Sequence, residues 1–269
     1  MVFRRRGATA GALAAALALA GCGGSSAAKI RQSGPTAKTE AGIARPYGHG
    51  SSQVWVLTPK TGKPRSIVVF IHGWTATSPF DWHQVWLDHL LERGSAVVFP
   101  VYQSTGDEGE FVTARLDLRS GLRTAFRVLR NPGLPVVVAG YSVGGALAFY
   151  YAADARYWGI PRPEAVYSIF PADPLGMDPG LVHLGPPPAK GRVLILVGDR
   201  DETVGRFGAD TFWKWLGPVP TALRTYRVLH SDPNGLFFDH EAPTNVYLPA
   251  MRKVFWQPLD RFVSAAQGS

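Results

Sequence analysis

Pro135-Val136-Val137-Val138-Ala139-Gly140-Tyr141-Ser142-Val143-Gly144-Gly145-Ala146-Leu147-Ala148-Phe149-Tyr150-Tyr151 is the stretch that decides the fold. Its valines are stiff at χ1 and favour a strand buried on both faces. Gly140-x-Ser142-x-Gly144 follows at once, and then a run of small residues that reads as helix. The serine therefore falls on a strand-to-helix turn. A side chain at Gly140 or Gly144 would strike the strand or the opening helical turn. Such a turn lifts the Ser142 hydroxyl out of the backbone and sets the Val143 N–H at the positive end of a helix, where developing negative charge is favoured.

Outward from this stretch, strand and helix alternate. Gln53 to Leu57 alternates as an early strand, and Thr61-Gly62-Lys63-Pro64 is a turn. Ile67 to Ile71 is a continuous apolar strand that ends in His72-Gly73-Trp74. Apolar residues at helical spacing predict helices over 81–92 and 110–129, with a buried strand over 96–101 between them. Beyond the central stretch come strands over 165–170, 193–197 and 221–229, and helices over 203–216 and 244–263. This alternation predicts an α/β fold, a mostly parallel central sheet with helices on both faces. Prolines at 171, 174, 179, 186, 187 and 188 argue against a long helix over 171–192, so no large cap over Ser142 is expected.

The N-terminus has a different character. Met1 to Arg6 is basic, Ala8 to Ala20 is apolar but short of the length needed to cross a bilayer, and Leu19-Ala20-Gly21-Cys22 follows. This resembles a bacterial lipoprotein signal of residues 1–21, cleaved before a lipidated Cys22. It implies export, with the domain outside the cytoplasm and tethered to the cell membrane. Cys22 is the only cysteine, which excludes an internal disulfide. Residues 22–46 are mostly small and polar and read as a flexible tether; the compact domain is expected over 47–269. Of the formal charge of +8, three positive charges belong to Arg4, Arg5 and Arg6. The rest looks scattered, with no basic cluster interleaved with aromatics, so nucleic acid is not an expected partner; anionic lipid or wall polymers are compatible neighbours.

The folded part resembles the α/β-hydrolases. The resemblance rests on His72-Gly73-Trp74, on Gly140-Tyr141-Ser142-Val143-Gly144, on Gly198-Asp199-Arg200-Asp201-Glu202-Thr203-Val204, and on a histidine before the last helix. Serine, acid and histidine follow the family's order. The resemblance implies a serine hydrolase acting on carboxylic esters, bulky or polymeric ones included, without metal or organic cofactor. A peptidase, thioesterase or amidase would use the same machinery, and a non-catalytic binding protein could keep the scaffold. Ser142 is the expected nucleophile. Asp201 is the favoured acid over Asp199 and Asp173, and His240 the favoured base over His230. Trp74 and Val143 are expected to supply the two oxyanion N–H groups. Tyr141 and His72 are expected beside the substrate, the aromatic rings having core packing as their alternative; His72 precedes the nucleophile and is not expected to be the base.

Overall fold

The computed structural model describes residues 30–130, 133–173, 191–233 and 235–268. The leader, Cys22 and most of the proline-rich segment expected to lack a cap lie outside them. Nine strands form one sheet among the described residues, in the order β1-β2-β3-β5-β4-β6-β7-β8-β9. They are β1 Ala37–Lys38, β2 Gly42–Tyr47, β3 Val54–Pro59, β4 Ser66–Ile71, β5 Ser95–Pro100, β6 Val136–Tyr141, β7 Ala165–Ile169, β8 Arg192–Gly198 and β9 Arg224–Leu229. From β5 to β9 every neighbouring pair is parallel, whereas β1, β2 and β3 join antiparallel at one side.

Helices cover both faces. Helices α2 (Phe111–Leu129), α3 (Val143–Trp158) and α4 (Phe207–Trp215) pack on one face through Leu118, Leu122, Phe149 and Phe212. Helices α1 (His83–Glu92) and α5 (Pro249–Gln267) pack on the other through Trp86, Leu90, Phe255 and Leu259. Strands β4, β5 and β6 are buried at every residue, as their unbroken apolar runs demand. Edge strand β9 instead alternates and turns Thr225 and Arg227 to solvent, which discourages edge-to-edge pairing.

Several boundaries differ from those the sequence predicts. The tether read from the sequence runs to residue 46, but β1 and β2 are part of the sheet. In β2, Gly42, Ala44 and Pro46 are buried on one side, a two-residue alternation hidden in the sequence because the buried residues are the small ones and Ile43, Arg45 and Tyr47 are only half-buried. Pro46 lies beyond the two residues of β1, a position where a strand tolerates a missing donor. The helix expected from 203 starts at Phe207 because Asp201 draws the N–H groups of Thr203 and Val204 into a non-helical turn. The closing helix starts at Pro249, after a 3₁₀ turn over Ala242–Thr244. The last strand starts at Arg224 because Thr221–Leu223 is another such turn.

The chain runs from β4 to β5 on one side and later enters β6 on the other, so the topology reverses at β4 and β6. The carboxyl ends of two such strands leave a crevice between their diverging loops. His72-Gly73-Trp74 and Ser142 both occupy this place.

Candidate active site

Ser142 stands between β6 and α3 with φ 58° and ψ −123°, a conformation that costs a non-glycine residue of order 1–3 kcal/mol. Its surroundings hold it there. Its N–H donates to the Ile169 carbonyl at 2.9 Å, and its carbonyl accepts from Ala146 at 3.2 Å and Ala172 at 3.0 Å. The flanking glycines are steric necessities. A Cβ on Gly140 would lie 2.0 Å from the Gly144 carbonyl oxygen, and one on Gly144 would lie 2.2 Å from that of Ile71. The turn aims the Ser142 hydroxyl away from the backbone and makes Val143 the first residue of α3, where N–H groups lack intrahelical partners.

Asp201 follows β8. Its Oδ1 accepts from the N–H groups of Thr203 at 3.0 Å and Val204 at 3.1 Å, which leaves Oδ2 aimed at the imidazole of His240, 2.9 Å from Nδ1. An ionised carboxylate only accepts, so Nδ1 carries the proton and Nε2 presents its lone pair. That Nε2 lies 3.0 Å from Ser142 Oγ. The Asp201 side chain is 1% exposed and that of His240 11%, so water scarcely competes for the bond between them.

The other candidates lie elsewhere. His230 leaves β9 with its side chain 79% exposed and meets Asp199 at 3.6 Å. Asp199 accepts from the Ser231 N–H and hydroxyl, which hold its carboxyl below the usual range and tie down the start of the loop carrying His240. Asp173 lies just past β7, and the carboxylate that meets His240 Nδ1 belongs to Asp201.

The expectation that His72 lines a substrate pocket needs correction. Its ring is 0% exposed, stacked on Tyr102 with centroids 4.4 Å apart and on Phe99 at 5.1 Å. Its Nδ1 lies 2.6 Å from the Gly73 carbonyl, and the Tyr102 hydroxyl donates to the His72 carbonyl at 2.7 Å. These bonds fix the backbone that leads to Trp74. That backbone passes close to the serine, since a Cβ on Gly73 would lie 3.5 Å from Ser142 Cβ. Thr75, the residue after Trp74, has φ 67°, an outlier for a β-branched side chain and a second point of stored strain. Tyr141, also expected beside substrate, is only 5% exposed. Its hydroxyl donates to the His240 carbonyl at 2.7 Å, and burial pushes its pKa far up, so it remains a donor.

Three contributors, Gly106, Phe111 and Glu110, give no signal in the sequence motifs. The Trp74 indole N–H donates to the Gly106 carbonyl at 3.1 Å, and its ring stacks on Phe111 at 3.9 Å. Glu110 gathers the N–H groups of Ser104, Thr105 and Gly106 together with the Ser104 hydroxyl; that hydroxyl first, then the amides, bring its pKa down to about 2. Ser104-Thr105-Gly106-Asp107 before Glu110 reads as an ordinary turn, and only the fold brings it under Trp74. Outside His240, Arg200, Glu202, Thr203, Phe237, Asp239 and Glu241 border an open hollow of ≈ 360 Å³. Among the described residues no group of three or more His, Cys, Asp and Glu is placed to hold a metal ion.

No family model and no curated protein matches the sequence. Solved structures do resemble the fold. An esterase B from Lactobacillus rhamnosis, inhibited by a tributyrin phosphonate, aligns at TM-score 0.63 and 16% identity over 86% of this chain and 88% of its own. A cold-adapted esterase from an Arctic intertidal metagenomic library aligns at 0.63 and 16% identity, over 87% and 99% respectively. An α/β-hydrolase enzyme from a Medee basin deep-sea metagenome aligns at 0.60 and 14% identity, over 86% and 100%. The chain has the α/β-hydrolase fold.

Two expected outcomes follow from this geometry. Tyr141→Phe strands the His240 carbonyl, at a cost of about 1–3 kcal/mol; it should lower the urea midpoint, and an unchanged midpoint would show that the bond does not hold the loop. The second concerns pH. Burial lowers the pKa of His72 to about 4 and that of His83 to about 3, while both titrate near 6.5 when unfolded. Between these values the unfolded chain binds more protons. Stability is therefore fully present above about pH 6.5 and falls on acidification, by up to about 1.4 kcal/mol per pH unit for each ring. Urea unfolding at pH 7 and pH 5 should show this slope, and His83→Gln should make it shallower; an unaltered slope would contradict the buried neutral ring.

Proposed function

We propose that this protein is a serine hydrolase that cleaves carboxylic esters through an acyl-enzyme. The observation that carries the proposal is the continuous chain from Ser142 Oγ to His240 Nε2 at 3.0 Å and from His240 Nδ1 to Asp201 Oδ2 at 2.9 Å, set at the start of a helix. The esterases among the solved structures of the same fold support the choice of ester.

A serine hydroxyl at its ordinary pKa is a weak nucleophile and needs a base at hydrogen-bonding distance. His240 Nε2 takes the Ser142 proton as Oγ attacks the ester carbonyl carbon. The carbonyl π electrons move to oxygen, and the N–H groups of Val143 and Trp74 hold the resulting oxyanion. Each such donor contributes about 3 kcal/mol of transition-state stabilisation. Asp201 stays ionised and stabilises the imidazolium. The tetrahedral intermediate collapses, the C–O bond to the alcohol breaks, and His240 returns its proton to the departing alkoxide. Water then repeats the sequence: His240 takes its proton, hydroxide adds to the acyl carbon, and Ser142 Oγ leaves with the proton restored. No step draws on a metal or an organic cofactor.

The same proposal places the protein outside the cytoplasm, held to the bacterial membrane by lipid on Cys22. The apolar run before that lone cysteine supports it.

Ser142→Ala should abolish turnover of a short-chain chromogenic ester, while His230→Ala should retain most of it; full activity in Ser142→Ala would refute the assignment. Cys22→Ala should shift the protein from the membrane fraction toward the soluble exported fraction, and an unchanged distribution together with an unlipidated parent chain would remove the anchor.

A further inference from the structure

Helix α2 carries a pattern that the candidate site does not use. Arg119, Arg123 and Arg127 follow at intervals of about one turn, with Val112 and Leu116 on the turns before them. At about 100° per residue, all five fall within an arc of about 80°. Val112 is 60% exposed and Leu116 61%. Leu116, Arg119, Arg123 and Arg127 border an open hollow of ≈ 380 Å³. Tyr157, at the end of α3 and 79% exposed, extends the patch, with the Arg119 guanidinium 5.7 Å from its ring centroid.

This face is costly to an isolated protein, because like charges one turn apart repel. The acids near it are committed elsewhere. Asp154 pairs with Arg115, and Asp117 accepts from the Ser52 hydroxyl at 2.8 Å. Among the described residues no carboxylate forms an ion pair with Arg119, Arg123 or Arg127. The three guanidinium groups are therefore open to an anionic partner. Exposed apolar side chains beside guanidinium groups on one helical stripe suit the boundary of an anionic bilayer, where the former enter the headgroup layer and the latter meet phosphate.

The surrounding chain favours the same partner. Ser33 donates to the Pro46 carbonyl at 2.9 Å, so the segment leading back to Cys22 joins the fold at the end of β2. Helix α2 lies against β2 and against the short turn Gly50–Ser52. The segment from Cys22 to Ser33, fully extended, spans at most roughly 40 Å. Phe111, the residue before Val112, stacks on Trp74, so the apolar end of the stripe borders the candidate site.

We propose that the Val112, Leu116, Arg119, Arg123 and Arg127 face of α2 docks on an anionic phospholipid bilayer. This binding does not depend on hydrolysis. The purified full-length chain should bind vesicles of phosphatidylcholine with phosphatidylglycerol more tightly than phosphatidylcholine alone, and salt should weaken the difference. Replacing the arginines together (Arg119→Ser, Arg123→Ser, Arg127→Ser) should reduce affinity for the anionic vesicles by roughly a hundredfold. The corresponding triple Lys replacement should keep most of it, because the charge remains. The proposal is overturned if the serine variant, with the parent's melting temperature, binds anionic vesicles as tightly as the parent. It is also overturned if the parent does not distinguish the two vesicles, or if duplex DNA at equal phosphate concentration binds it more tightly than the anionic vesicles do.

Discussion

The structure depends on one backbone constraint, the left-handed turn at Ser142. A serine at φ 58° is uphill, and it persists because helix α3 and the Ile169–Ala172 segment together bind its peptide groups. Glycines at 140 and 144 let those elements approach within distances no side chain would allow. The same turn fixes two directions at once. The hydroxyl leaves the sheet toward the carboxyl ends of the parallel strands, and the Val143 N–H sits at the unpaired beginning of a helix.

Around that turn, residues of the same type differ in behaviour because their neighbours differ. Asp201 is buried and divides its oxygens between two amides and His240, whereas Asp199 and Glu110 lie at the surface and organise loops. His72 and His83 are buried and neutral; desolvation dominates both. His230 faces water. Among the described histidines, His240 is the one bonded to both a carboxylate and a hydroxyl, the arrangement a proton shuttle requires.

Much of this is legible in the sequence because it is local. A β-branched run followed by glycines around a serine can hardly fold otherwise, and the alternation of apolar runs with helical spacing dictates a parallel sheet. The loops and the first strands carry less local signal. The alternation of small buried residues in Gly42–Tyr47 is too weak to separate a strand from a tether. Nothing in His72-Gly73-Trp74 says whether the ring points at solvent or into the core; its partners Tyr102 and Phe99 come from β5 and the residues just after it. Nor does the sequence show which hydroxyl restrains His240, since Tyr141 lies far from it in the chain. The positive charge that looks scattered along the sequence becomes a stripe only when α2 winds it onto one side.

The central claim is that Ser142 is the residue that becomes acylated. It is tested most directly by treating the full-length chain with a fluorophosphonate and locating the adduct by peptide mass spectrometry. A single adduct on the peptide containing Ser142, lost when the protein is unfolded before labelling, is the predicted result. An unmodified Ser142, or an adduct on a different residue, would contradict it.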